Sequence, residues 1–256
     1  MVRCDAEYFS EQFRAVTNVT HISAAKPPES GSAIWTLGTV SKMTTASPSI
    51  GRGAQTRERI LEAAQSAVLR KGFVAAGLDE IIAAAGVTRS GFFYHFRDKH
   101  ELAKALLDRY VAHDQVLLDD LFARVDALID DPLYAYLAFL KMFSEVMADL
   151  PDRHPGCLVA AYCYQDQIHS RDIRARSAEA MLLWRVRFRA RLDAIAAKYP
   201  PRMPVDLNAL ADMTITLVEG GILLDKGRQE QGGLTKQVLM LREIVRTIFE
   251  PAAAAA

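Results

Sequence analysis

The stretch from Leu78 to Phe96 constrains the fold of this chain more than any other. Ile81, Ile82 and Ala85 recur at helical spacing and mark the apolar stripe of a short helix. Gly86 follows where the backbone must turn left-handed to leave that helix. Val87, Phe92 and Phe96 supply a second short helix with buried anchors, the two Phe four residues apart on one face. Thr88, Arg89, Ser90 and Tyr94 are left to point elsewhere. Two helices pinned around a glycine turn, the second with an outward polar face, make a helix-turn-helix. Such a second helix fits a DNA major groove.

The surroundings agree with one such head on a larger body. With 256 residues, half hydrophobic and a quarter charged, the chain has the make-up of a soluble protein of one or two domains. No apolar run is read as long enough to cross a bilayer, so no membrane is expected. There is no basic-then-apolar secretory leader. Cys4, Cys157 and Cys163 show no metal-ligand spacing, which predicts a reducing, cytoplasmic setting. Formal net charge is zero, which argues against a protein that coats nucleic acid along its length. Between 51 and 104, however, nine basic side chains face six acidic ones, so a modestly basic head sits on a slightly acidic body.

Residues 1–53 are rich in Ser, Thr, Ala, Gly and Pro without a periodic apolar stripe, and are expected to be a disordered extension with a helical turn or two in 6–16. Met43 lies shortly before the first convincing helix and is the expected natural start. From Thr56, read as an N-cap, the chain is expected to be nearly all helix. A first helix ends at Lys71-Gly72. Asp98, with Glu101 three residues on, caps a long fourth helix. Further helices are expected over 133–149, 156–164, 172–199, 206–226 and 234–249, bounded by prolines and glycines. The domain expectation is therefore a head over 54–102, a body over 103–250, and a frayed tail over 251–256. No strand alternation survives, so the fold class is all-α.

Thr56-Arg57-Glu58-Arg59-Ile60-Leu61-Glu62-Ala63-Ala64, Lys71-Gly72-Phe73, Leu78-Asp79-Glu80-Ile81, Ala84-Ala85-Gly86-Val87 and Phe92 to Phe96 followed by Lys99 together resemble the TetR family of bacterial transcriptional regulators. The resemblance covers about fifty residues. It implies a homodimer with an N-terminal DNA-binding domain and a larger helical domain for ligand binding and dimerisation. Pro155-Gly156-Cys157-Leu158-Val159 followed by the long 172–199 helix looks, more loosely, like one branch of that family. Three departures stand out. Ala76 and Gly77 replace the usual hydroxyl residue before Leu78, Phe93 stands where Tyr is usual, and Ser90-Gly91 inverts a frequent Gly-Ser or Gly-Thr. Fewer phosphate-binding hydroxyls should weaken non-specific affinity without abolishing base reading.

The expected DNA-binding residues are Thr88, Arg89, Ser90, Tyr94, His95 and Lys99. An arginine fork matches guanine O6 and N7, so Arg89 is the first choice for a base edge, with a phosphate clamp as its plainer role. Thr88 caps the recognition helix. Ser90 is small enough for close approach. Tyr94 and His95 suit phosphates, and His95 can instead pack against the fourth helix. Lys99, at a helix N-terminus, suits a phosphate best.

In the body, the family resemblance implies a cavity for a small apolar or aromatic effector. Phe139, Met142, Phe143, Met147, Tyr162 and Trp184 are its candidate lining, with Tyr164 and Met213 beside them; a packed core is the plainer reading of each. Leu210, Met213, Leu217 and Gly221, with Leu241, Ile244, Val245 and Ile248, are the candidate dimer interface, the alternative being burial within one subunit. No catalytic or metal-binding constellation emerges from the six histidines, and no cofactor is expected. The expected function is that of a ligand-responsive transcriptional regulator, a repressor on a pseudo-palindromic operator. A constitutive DNA-binding protein, or an interaction module with a vestigial head, is the alternative.

Overall fold

The structure is a computed structural model describing residues 51–148, 156–165 and 170–250. Expectations for residues 1–50, Met43 among them, and for the 251–256 tail lie outside these residues. Nine helices make up the described part: α1 (Arg52–Ala75), α2 (Leu78–Ala84), α3 (Arg89–His95), α4 (Lys99–Asp126), α5 (Pro132–Ala148), α6 (Leu158–Cys163), α7 (Arg171–Lys198), α8 (Leu207–Arg228) and α9 (Gly233–Phe249). No strand occurs among the described residues.

The helices begin where local chemistry lets them. Asp98 accepts from the Glu101 backbone N–H while Glu101 accepts from that of Arg97, a reciprocal closure of the α4 N-terminus. Pro132 opens α5 at a position that needs no N–H, and the Asp131 carboxylate accepts from Leu133 and Tyr134 behind it. The buried Asp225 caps the start of α9 through the N–H groups of Gly233 and Leu234. One start differs from the sequence reading. Gly51, not Thr56, is the N-cap of α1, so Arg52 and Gly53 are helical rather than part of an extension, and Thr56 Oγ1 donates within the helix to the Arg52 carbonyl. A hydroxyl four residues past a carbonyl can satisfy itself in mid-helix, which removes its value as a start signal.

Two apolar cores share α4. In the head, Ile60, Leu61 and Val68 of α1 meet Ile81 of α2, Phe92 and Phe96, and Leu102 and Leu106 of α4, joined by Leu158 and Tyr162 of α6. In the body, Leu118, Leu121 and Phe122 of α4 meet Phe139 and Phe143 of α5, Phe188 of α7 and the inward faces of α8 and α9. Phe122 and Phe139 stack with ring centroids 4.1 Å apart. The arginines of α7 act as clasps because they alternate between its two neighbours. Arg187 and Arg191, four apart, reach Asp119 and Asp126 of α4, and Arg185 and Arg189 reach Asp212 and Asn208 of α8.

Alpha8 corrects the expectation that no helix is apolar enough for a bilayer: by length and composition it is. Only about a third of its apolar stretch is buried. It packs between α7 and α9, however, and its Asp212 and Asp225 are fastened to neighbouring helices, so it is built as a bundle helix.

Candidate nucleic-acid interface and effector cavity

The helix-turn-helix is anchored from beneath. Phe92 and Phe96 are fully buried with ring centroids 5.7 Å apart, and the Arg57 guanidinium covers the Phe96 ring. Gly86, at φ 63°, passes the chain from α2 to α3 in the left-handed region. Thr88 then caps α3, its hydroxyl accepting from the Gly91 N–H at 3.0 Å, and its Oγ1 lies 3.1 Å from Ser90 Oγ. With these anchors set, Arg89, Ser90, Phe93 and Tyr94 form one exposed face, Tyr94 being 84% exposed.

Arg89 Nη1 donates to Asp79 Oδ1 of α2 at 2.6 Å, and its guanidinium lies 5.9 Å from the Phe93 ring centre. Both partners are largely exposed. An exposed pair of this kind contributes little stability, but it presets the direction of the arginine. His95 is half-buried; its ring sits 5.0 Å from Tyr94 and faces the start of α1 at Gly53. Arg59, not singled out from the sequence, reaches the Gly86 turn and belongs to the same side of the head. Only packing puts it there.

Lys99 departs from expectation. Its ammonium turns inward to donate to the Phe73 and Val74 carbonyls at 2.7 and 3.3 Å, 4.6 Å from the Phe73 ring centre. Burial, and then Lys71, push its pKa down. The last carbonyls of α1 lack helical partners and attract a cation, so they hold this side chain instead of a phosphate. The same helix end is gripped from the other side, where the Phe73 N–H donates to Gln165 Oε1 beside Gly72.

In the body, a cavity of two adjoining lobes, about 30 and 60 Å³, opens between α4, α5, α6, α7 and α8. Of the candidate lining residues, Phe143, Met147 and Trp184 line it. Phe139 and Met142 pack instead into or against the body core. Tyr162 is placed elsewhere: it is buried in the head core, donates to the Ala103 carbonyl at 3.1 Å and meets Phe73 edge-on. The short α6 docks against α1 and turns this residue toward the head. Tyr164 is exposed and Met213 flanks the body core. Polar lining that sequence reading missed consists of Asp114 and Glu219, together with Tyr110 and Cys157.

The candidate dimer residues also divide. Leu210, Gly221, Leu241, Val245 and Ile248 are buried in their own subunit, because α9 lies against both α5 and α8. Gly221 is so close to α9 that a Cβ there would meet Leu234 Cα at 2.5 Å. Met213, Leu217 and Ile244 remain partly buried at the edge.

Comparison with known proteins adds to this geometry. The family described as "Bacterial regulatory proteins, tetR family" matches residues 60–106, the head and the start of α4. The chain is 29% identical over 133 residues to the transcriptional regulator AcuR of Cereibacter sphaeroides, covering 51% of this chain and 58% of that protein. It is 36% identical over 103 residues to the HTH-type transcriptional regulator TtgR of Pseudomonas putida, covering 39% and 46%. It is 31% identical over 81 residues to the HTH-type transcriptional repressor NemR of Escherichia coli, covering 32% and 41%. The chain thus spans about half the length of the curated relatives it matches. Likeness in fold extends further. The crystal structure of regulatory protein TetR from Rhodobacter sphaeroides superposes with a TM-score of 0.63 at 26% identity, covering 73% of this chain and 97% of that one. A TetR regulator from Chloroflexus aurantiacus superposes with a TM-score of 0.65 at 24% identity, covering 78% and 98%. Helix order, the glycine-turned head and the matched family segment agree: residues 60–106 carry the sequence of the TetR family of bacterial regulatory proteins, and the described chain shares the fold of TetR regulators.

Proposed function

We propose that this protein is a dimeric, ligand-responsive transcriptional repressor. The observation that carries the reading is α3 itself: capped by Thr88, seated on Phe92 and Phe96, and presenting Arg89, Ser90 and Tyr94 to solvent. Arg89 reads a base edge, Tyr94 and Arg59 contact phosphates, and Ser90 allows close approach. His95 supports Tyr94, and Lys99 orders the head that carries them.

Dimerisation is supported by the outer face of α8. Ala209, Met213, Thr216, Gly220 and Leu223 follow one another at three- and four-residue steps, small or apolar, and are at least partly exposed. Met240 and Ile244 continue the patch on α9. A large apolar face left open by its own subunit is the mark of an interface, and a two-fold pairing of α8 and α9 makes a four-helix bundle. Leu210, Gly221, Leu241, Val245 and Ile248 then act behind that surface, shaping it from within. Two heads held this way face successive major grooves of a pseudo-palindrome.

The head is joined to the body in ways that suit effector control. Alpha4 runs through both cores, and at its start His100 and Lys104 face Asp172 of α7. A small effector of mainly apolar or aromatic character, entering the cavity beside Phe143, Met147 and Trp184, shifts α4 and so changes the spacing of the heads. The effector lowers DNA affinity by the ratio of its own affinities for the two states.

Fluorescence anisotropy of the full chain on its own upstream intergenic DNA, beside a scrambled duplex over a salt series, tests the reading. Separation of the two duplexes by ~10³-fold is expected. Equal affinities at every salt concentration would sink it.

A further inference from the structure

The cavity has mostly apolar walls, and its two carboxylates are the only acidic groups that line it. Asp114 of α4 and Glu219 of α8 line both of its lobes, with Trp184 of α7 and Cys157 at the start of α6 beside them. The Trp184 indole N–H donates to Asp114, and the Cys157 thiol donates to Glu219. No lysine, arginine or histidine lines either lobe. Two acids therefore face a largely apolar space that no cationic side chain lines.

Such a pair does not ionise fully on its own. Burial, and then the charge of Glu219, push Asp114 up to about 7. Burial likewise raises Glu219, against the opposing effects of Cys157 and of Lys226 further along α8. Tyr110 and Cys157, the other titratable groups here, are pushed well above their ordinary range and stay neutral. Near neutrality Asp114 accordingly keeps its proton in part, beside the charge of Glu219. That proton occupies the place an external cation can take. Trp184 adds an aromatic surface, and Val111, Met181 and Val218 an apolar wall.

We propose that Asp114 and Glu219 form the charged end of a binding site for an organic cation, a protonated amine or quaternary ammonium joined to an apolar or aromatic body. The assignment deepens the effector reading above and rests on it for its regulatory meaning, though not for binding itself. When the cation enters, its positive charge replaces the proton held by Asp114. The proton passes to solvent, the carboxylates become fully ionised, and no covalent bond changes.

Benzylammonium, benzyl alcohol and benzoate have nearly the same shape and carry charges of +1, 0 and −1. Titration calorimetry of the full chain with each probe tests the site. Benzylammonium is expected to bind at least about tenfold tighter than benzyl alcohol, with benzoate weakest. Its affinity should rise from pH 6 to pH 8, with a proton released into the buffer. Asp114→Asn should remove the preference for charge while leaving benzyl alcohol binding intact, and Glu219→Gln should reduce it in a chain of unchanged helicity. Equal binding of the three probes, binding of none, or a pH-independent benzylammonium affinity overturns the proposal. DNA binding measured on the same samples separates the two readings. Intact operator selectivity without cation preference removes the site alone, and cation preference without DNA selectivity removes the repressor reading alone.

Discussion

Arg89 Nη1 lies 2.6 Å from Asp79 Oδ1, so the side chain proposed to reach a base is already held by the preceding helix of the same motif. Asp79 is a positioning residue by this geometry, and it also carries a negative charge at the edge of the surface proposed to face DNA. Its influence on binding has two opposite parts, orientation and repulsion, which separate experimentally.

Replacing Arg89 by Ala is expected to remove about 1–3 kcal/mol of discrimination between operator and scrambled duplex. Asp79→Asn should do the reverse of what a simple loss of function does. Affinity for both duplexes should rise and its salt dependence steepen, while their ratio falls. Anisotropy titrations at several salt concentrations read both effects.

Lys99 gives a second prediction. Because its ammonium closes the end of α1, Lys99→Met should lower the unfolding free energy by about 1–3 kcal/mol, the range for hydrogen bonds to a charged group. The salt slope of DNA binding should change by less than one phosphate contact. Denaturant unfolding and the salt series check it together; a slope lower by a full contact would return Lys99 to the DNA.

Two adjacent glycines of α8 should behave oppositely. A Cβ on Gly221 meets the α9 backbone at Leu234, whereas one on Gly220 meets nothing within 4 Å in its own subunit. Gly221→Ala should destabilise by several kcal/mol, in the range of severe core overpacking. Gly220→Ala should be neutral or stabilising by up to about 1 kcal/mol in the isolated subunit, since alanine is the better helix former. Thermal melts of both variants decide the matter.

The outer face of α8 carries the dimer prediction. Thr216→Arg places a charge in the middle of the apolar patch and should give a monomer at micromolar concentration with unchanged helicity. Operator affinity should fall steeply because two half-sites no longer bind as one. Analytical ultracentrifugation beside circular dichroism reads this; a dimer that survives the change places the interface elsewhere.

Stability should also report on Asp114. Its folded-state pKa, about 7, is raised from the ordinary 3.8, so its favourable contribution is complete below about pH 4 and is lost as pH rises to about 7. Asp114→Asn does not titrate. The variant should therefore gain on the parent protein across that window, by on the order of 2–4 kcal/mol once the difference levels off, less where water enters the cavity. Denaturation midpoints at pH 5, 6, 7 and 8 measure the gap, and a gap that does not grow with pH would show that Asp114 ionises freely.

Helix positions were legible in the sequence because their causes are local. Asp98 with Glu101, Gly86, Thr88 and Pro132 act within four residues, and each performs the role its type suggests. The face of α3 was legible for the same reason: once Phe92 and Phe96 are buried, helical geometry leaves Arg89, Ser90 and Tyr94 outside. Thr56 misled because a hydroxyl bonds as readily within a helix as at its start.

Other properties depend on which surfaces meet. Nothing in the sequence distinguishes an apolar stripe buried in its own subunit from one that waits for a partner. Leu241 and Val245 are the first kind, while Leu223 and Met240 remain exposed. Tyr162 turned to the head, and Lys99 to the end of α1, because α6 and α4 dock there. Asp114 and Glu219 each read as an ordinary surface acid on its own helix. The sequence by itself determined the helices, their caps and the outward face of α3, since these follow from interactions along one turn of chain. The tertiary structure alone decided the cavity, its paired acids and the open face of α8, since burial and electrostatic coupling depend on distances between segments far apart in the chain.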